Sequence, residues 1–199
     1  MNKNLERFLK YVKIDTQSDE LSNTIPSTLK QLDLAKVLYQ ELLALNVKCS
    51  MSNDGIIIGE IPSNIDKDVP TIGFLAHMDT AMDLTGKDVN PKIIENYNLE
   101  DIKLNDEYTL SKNDYPSLNN KLGHTLITTS GNTLLGADDK AGITIIMGLI
   151  DYLLKHQEFK HGTVKFAFTI DEEIGRGTDT FDIEKFGCDY AYTVDGGNP

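Results

Sequence analysis

Three short segments of this 199-residue chain are almost entirely apolar, and they restrict the possible folds more than any other feature of the sequence. They cover residues 71–76, 163–170 and 190–194. Nearly continuous apolar runs of this length are typical of strands buried on both faces of a sheet. Residues 141–154 are apolar around most of a helical circumference, which predicts a helix packed against that sheet. Strands that alternate with buried helices predict a layered α/β domain.

Two amphipathic helices and a hairpin are predicted ahead of these strands. Apolar residues at helical spacing predict the first helix over residues 3–13. The second is predicted to have Ser27 as its N-cap and to end near Asn46. Residues 47–51 alternate between apolar and polar, and an Asn-Asp-Gly turn signal separates them from the apolar residues 56–61, which predicts a β-hairpin.

Charge and composition exclude several classes of function. The formal net charge is -12 at pH 7, which argues against nucleic acid or an anionic membrane as a partner, because neutralising phosphates requires clustered Lys and Arg. Cys49 and Cys188 lie far apart without CxxC spacing, so neither a disulfide framework nor a zinc knuckle is expected. No signal peptide is recognisable near Met1, and no apolar run approaches the roughly 20 residues of a membrane span. We therefore expect a cytoplasmic protein.

Ionisable side chains follow each apolar segment at the point where the predicted strand ends. These residues are His77 and Asp79 after the first segment, Glu172 and Glu173 after the second, and Asp195 after the third. Asp138 and Asp139 immediately precede the apolar helix. Ligands bind beyond the carboxyl ends of strands in open α/β sheets, so we expect these side chains to converge on one site.

Each of these residues also has a common structural role that must be weighed. A lone histidine such as His77 is more often a satisfied residue at the edge of a core, and Asp79 alone is usually a turn residue. Asp138 could be a helix N-cap and Asp139 a favourable charge in the first helical turn. The paired glutamates and Asp195 are each typical of solvated loops or turns. Their joint occurrence at the predicted strand ends favours a metal site over these separate roles.

The residue types suit a pair of divalent cations. Two metals about 3.5 to 4 Å apart require a bridging carboxylate and further nitrogen and oxygen ligands on each side. Imidazole with carboxylates favours zinc, and cobalt or manganese are possible substitutes. Asp79 points to the same side of an extended chain as His77 and could hydrogen-bond the second ring nitrogen. One of two adjacent glutamates can bind metal while the other takes a proton from water.

Four motifs at these positions resemble those of the M20 metallopeptidases, and of their tripeptide aminopeptidases in particular. They are His-Met-Asp-Thr at 77–80, Gly-Ala-Asp-Asp-Lys-Ala-Gly at 136–142, Asp-Glu-Glu-Ile-Gly-Arg-Gly at 171–177 and Val-Asp-Gly-Gly at 194–197. The resemblance extends from about residue 4 to Gly197. It implies a layered α/β/α catalytic domain of the zinc-exopeptidase type with a mostly parallel mixed sheet.

The resemblance also implies a role for each site residue. It makes His77 and Asp195 ligands of one zinc, Asp138 the bridge between two zincs, Glu173 a ligand of the other, Glu172 the general base and Asp79 the residue that orients His77. It implies a cis peptide bond between Asp138 and Asp139. The implied reaction is release of the N-terminal residue from tripeptides.

Members of the M20 family continue beyond the matching region into a lid domain and then return to supply a last histidine ligand. The resemblance therefore implies that residues 1–199 are the N-terminal part of the catalytic domain, and that the isolated chain has little peptidase activity. Two other hypotheses remain open: a metal-binding remnant without catalysis, and a related deacylase or carboxypeptidase. The sequence leaves the oligomeric state and the side-chain preference undetermined.

Overall fold

The structure is a computed structural model that describes residues 2–197. Its α-helices are α1 (Lys3–Tyr11), α2 (Gln31–Ala44), α3 (Ala137–Lys155) and α4 (Ile183–Phe186). Its strands are β1 (Lys48–Met51), β2 (Ile57–Ile61), β3 (Ile72–His77), β4 (Lys92–Ile94), β5 (Ile102–Lys103), β6 (Thr109–Leu110), β7 (Leu126–Thr128), β8 (Val164–Thr169) and β9 (Tyr190–Thr193). The predicted first helix is confirmed, although it ends two residues early.

The central sheet has the order β1-β2-β8-β3-β9 within the described part of the chain. Strands β8 and β9 both pair with β3 in parallel, and Leu75 lies opposite Ala167 on one side and Thr193 on the other. Strand β2 is antiparallel to both of its neighbours, β1 and β8. Four of the five strands therefore run in the same direction, which confirms the predicted α/β class with a mostly parallel mixed sheet.

The core lies between this sheet and the long helices. Helix α3 packs against β3, α1 packs against α3, and α2 packs against β1. The core includes the fully buried residues Leu38, Ile143, Met147, Phe166 and Phe168. Sequence periodicity overestimated how much of α3 is covered. Ile145 and Tyr152 on its outer face are 58% and 47% exposed, so only the side toward the sheet and α1 is buried.

The start of α2 differs from the prediction. The helix begins at Gln31, and Lys30 rather than Ser27 occupies the N-cap position. The reason is that the Ser27 hydroxyl donates to the Asp171 carboxylate, 2.5 Å away. The Ser27 side chain therefore makes a tertiary hydrogen bond and does not cap the free amides of the first helical turn.

The predicted hairpin is confirmed. Strands β1 and β2 are antiparallel, and Met51 pairs with Ile57 across the connecting turn. Both cysteines, one of them in β1, are unpaired within residues 2–197. Across the same residues, none of the helices is both long enough and apolar enough to cross a membrane.

Candidate metal centre

The candidate site lies where three parallel strands end beside the start of α3. His77 is the last residue of β3, Asp195 lies two residues beyond β9, and Glu172 lies three residues beyond β8. Asp138 is near the beginning of α3. The parallel pairing of β3 with both β8 and β9 explains why residues so distant in sequence meet at one edge of the sheet.

His77, Asp138 and Asp195 form a compact group, which we call the triad. Each offers one ligand atom, and these three atoms lie within 4.8 Å of one another. Nε2 of His77 is 3.0 Å from Oδ1 of Asp138 and 3.8 Å from Oδ2 of Asp195. An imidazole nitrogen facing two carboxylates is a donor set that a divalent metal accepts. The triad can therefore hold a metal ion.

The other side of the His77 ring is held by Asp79. Nδ1 of His77 lies 3.1 Å from the Asp79 carbonyl oxygen and 3.3 Å from Oδ1 of its carboxylate. Asp79 is completely buried, and His77 is 3% exposed. This contact fixes the orientation of the ring, so that Nε2 faces Asp138 and Asp195.

Asp79 has further partners that the sequence did not reveal. Its carboxylate accepts the backbone N–H of Glu172 at 3.0 Å and that of Glu173 at 3.1 Å. The same side chain therefore positions both the imidazole and the loop that carries the two glutamates. The alternation of side chains in an extended chain predicted the contact between Asp79 and the His77 ring. The bonds from Asp79 to the two glutamate amides depend on how the loop after β8 folds back, which alternation does not reveal.

Three ionisable groups in the site have displaced pKa values. Burial alone would lower the pKa of His77, but the carboxylates of Asp79, Asp139 and Glu172 outweigh it and raise the pKa to about 10. Burial raises the pKa of Asp139 to about 7. Burial, together with the nearby charges of Asp138, Asp79 and Glu172, also raises the pKa of Glu173. These shifts reflect a concentration of negative charge that a bound cation would relieve.

The two glutamates do not join the triad. Oε2 of Glu172 is 3.9 Å from Nε2 of His77, and the Glu172 side chain is 54% exposed. Glu173 is half-buried and lies near enough to Asp138 for the charge of that residue to raise its pKa. Within residues 2–197, the triad is the one group of three or more potential ligands close enough to share a single ion.

No family model matches the chain, but individual relatives do. It is 56% identical over 196 residues to peptidase T of Bacillus subtilis, a match that covers 97% of this chain and 48% of that protein. Peptidase T of Clostridium perfringens strain SM101 is 55% identical over 198 residues, covering 99% of this chain and 49% of its own length. The chain is homologous to peptidase T.

Solved structures agree with the sequence matches to peptidase T. The aminopeptidase PepT from Bacillus cereus ATCC 10987 has a TM-score of 0.69 at 25% identity, and the match covers 98% of this chain and 43% of that one. A tripeptidase from Staphylococcus aureus has the same fold, with a TM-score of 0.66 at 23% identity over 98% of this chain and 43% of its own. This chain spans about half the length of the peptidase T relatives it matches.

The start of α3 shows how the two consecutive aspartates differ in this peptidase T homologue. The peptide bond between Asp138 and Asp139 is cis, as the family resemblance implied. Asp138 contributes its carboxylate to the triad. Asp139 is buried and accepts the backbone N–H groups of His77 at 3.1 Å and Gly142 at 3.0 Å. Sequence reasoning expected only a first-turn charge at Asp139, but this residue also ties β3 to α3.

A cleft of about 250 Å³ opens beside the triad. Its lining includes the ionisable residues His77, Glu172 and Asp195. It also includes the apolar residues Leu75 and Phe181. The cleft therefore places an apolar surface next to the groups that could act on a bound molecule.

Proposed function

We propose that this chain supplies the metal-binding catalytic part of a tripeptide aminopeptidase. The observation that carries the proposal is the triad, which lies at the carboxyl ends of parallel strands in a chain 56% identical to peptidase T of Bacillus subtilis. The proposed substrates are small peptides, tripeptides in particular, with a free amino terminus. The homology and the open cleft beside the triad support this substrate class.

We propose zinc as the metal, two ions in a complete site, with cobalt or manganese as possible substitutes. His77 and Asp195 would hold one ion, Asp138 would bridge, and Glu173 would bind the second. The imidazole and carboxylate donors support zinc, and the nearness of Glu173 to Asp138 supports the second position. A bound pair of cations would polarise the scissile carbonyl and lower the pKa of water.

Glu172 is the proposed general base. Its side chain is half-exposed and lines the cleft, with Oε2 3.9 Å from Nε2 of His77. Its backbone is fixed by Asp79, so the side chain can reach the cleft while the main chain remains in place. In the proposed reaction, Glu172 takes a proton from the water that attacks the peptide carbonyl and delivers it to the departing amine.

Asp79 would orient His77 throughout this reaction. The His77 ring contacts Asp79 on one side and Asp138 on the other, so it cannot rotate without losing one of these contacts. We also propose a cytoplasmic location, which the free thiols of Cys49 and Cys188 support, because disulfides are rare in reducing compartments.

The test is a chimera in which this chain replaces the matching segment of Bacillus subtilis peptidase T. We expect the zinc-loaded chimera to release the N-terminal residue of a tripeptide and to leave the N-acetylated tripeptide intact. A chimera carrying Glu172→Gln is the matched control. Turnover no faster than this control, with normal zinc content, would favour metal binding without catalysis. Preferential hydrolysis of N-acyl amino acids would favour a deacylase.

A further inference from the structure

Asp171, the residue immediately before the two glutamates, is fully buried and has an unusual backbone conformation. Its exposed fraction is 0%, and its φ of 55° lies in the left-handed region. Among residues other than glycine, aspartate and asparagine are those most often found there. The left-handed residue ends the path of β8 and turns the chain toward the site.

Two residues from the other end of the sequence hold the Asp171 carboxylate. The Ser27 backbone N–H donates to Oδ2 at 2.7 Å, and the Ser27 hydroxyl donates to Oδ1 at 2.5 Å. The Gln31 side-chain amide donates to Oδ1 at 2.6 Å. Three donors compensate the burial of a carboxylate that would otherwise be costly. We call Ser27 and Gln31 the clamp.

Gln31 also holds the backbone of Asp171. Its side-chain oxygen accepts the Asp171 N–H at 3.1 Å, so one amide group bonds both the side chain and the main chain of the same residue. The Asp171 carbonyl accepts the N–H of Arg176 at 2.9 Å, which closes the loop that follows. The orientation of the peptide units on both sides of Asp171 is therefore fixed.

The next two peptide units are the ones that meet Asp79. Glu172 and Glu173 direct their N–H groups at the two oxygens of the Asp79 carboxylate, at 3.0 and 3.1 Å. A chain leaving β8 reaches this arrangement through the left-handed turn at Asp171. We propose that Asp171, held by the clamp, is a positioning residue that places both glutamates relative to the triad.

What the glutamates then do rests on the proposed function, but their placement can be measured without it. The measurement is hydrogen exchange of individual backbone amides by NMR on the 199-residue chain without added metal. The first variant, Ser27→Ala, removes one donor to Asp171. The second, Gln31→Glu, sets a carboxylate against a carboxylate. Ser27→Thr keeps the hydroxyl and is the conservative variant.

We expect Ser27→Ala to lower the protection of the Glu172 and Glu173 amides about tenfold, as for the loss of one hydrogen bond to a charged group. Gln31→Glu should lower it further. The amide of Phe168 within β8 should keep its protection, and Ser27→Thr should restore that of both glutamates. Ser111→Ala, which alters a buried serine outside the clamp, should leave all of them unchanged.

Two results would overturn the proposal. One is unchanged protection at Glu172 and Glu173 in Ser27→Ala and in any Gln31→Glu protein that folds. The other is an equal loss at these amides and at Phe168, because that would indicate general destabilisation and not local positioning. Failure of the chimera to hydrolyse tripeptides would count against the proposed function alone, since the exchange measurement involves no turnover.

Discussion

Asp79 accepts the backbone N–H of Glu172 through Oδ1 at 3.0 Å, and the same oxygen lies 3.3 Å from Nδ1 of His77. One carboxylate oxygen therefore joins the ring that would bind metal to the main chain of the proposed base. A displacement of either partner is transmitted to the other through a single buried atom.

Replacing this carboxylate by an amide should weaken metal binding. In Asp79→Asn, one oxygen becomes an NH₂ donor that faces a glutamate N–H in either orientation of the amide, and the negative charge behind the ring is lost. We expect zinc affinity to fall about 10- to 100-fold, the usual effect of losing a carboxylate that orients a histidine ligand. Isothermal titration calorimetry with zinc, on the 199-residue chain with and without the substitution, measures this affinity. Asp179→Asn, at an exposed carboxylate, is the control and should bind like the unmodified chain.

The two adjacent glutamates should respond differently to the same change. In the chimera with Bacillus subtilis peptidase T, Glu172→Gln should reduce kcat by about 10²- to 10⁴-fold because it removes the proposed base, while the zinc content stays the same. Glu173→Gln should lower the zinc content. Metal analysis of both dialysed proteins, together with a tripeptide assay, distinguishes a base from a metal ligand. Equal loss of zinc in both variants would contradict the assignment of Glu172 as base and Glu173 as ligand.

Gly142 should be needed for the triad more than for folding. A methyl group at this position would overlap the Val194 carbonyl oxygen and the Asp139 carboxylate, and Val194 immediately precedes Asp195. We expect Gly142→Ala to displace Asp195 and to abolish tight zinc binding. Gly148→Ala in the same helix is the matched control, because there the atoms nearest to the added carbon belong to the Asn4 side chain, which can move. Similar zinc affinities in the two variants would show that the loop at Val194 adapts.

Asp151 should make stability depend on pH at the acidic end. Burial opposes its ionisation, but Lys3 at 2.6 Å, Arg7 at 2.9 Å and Lys155 at 3.7 Å outweigh burial and lower its pKa. A lowered folded-state pKa adds stability above the unfolded value of about 3.9, and this stability disappears as pH falls through the folded value. Asp151→Asn should therefore lower the free energy of unfolding by about 1 to 2 kcal/mol at pH 7.

The same substitution should matter little at low pH. The difference between Asp151→Asn and the unmodified chain, measured by urea unfolding, should shrink as pH falls below about 4, where the unfolded state takes up a proton, and should vanish below the lower folded-state pKa, where both states are protonated. Asp106→Asn removes an ion pair with Lys103 in which Asp106 is 98% exposed, and it should change stability little at either pH. A difference that persists unchanged at pH 3 would rule out the charge of Asp151 as its source.

The sequence predicted strands and their ends better than it predicted contacts between distant segments. Continuous apolar runs identified β3 and β8, and the ionisable residues at their ends indicated where a site would form. The N-cap of helix α2 is Lys30, three residues after the predicted Ser27, because that serine bonds Asp171, 144 residues away. No local pattern encodes such a pairing. For the same reason, the amide bonds to Asp79 and the role of Asp139 in joining β3 to α3 were not predicted.

The three members of the triad are separated by about sixty residues each in the sequence, and they meet only because β9 and α3 are both in place against β3. During synthesis, a growing chain has no complete triad until Asp195 has been added and β9 has paired. Contacts of such long sequence separation form late, because closing long loops costs entropy before any contact offsets it. The ion should therefore enter a sheet that has already formed, so metal supply would regulate loading and not the early course of folding.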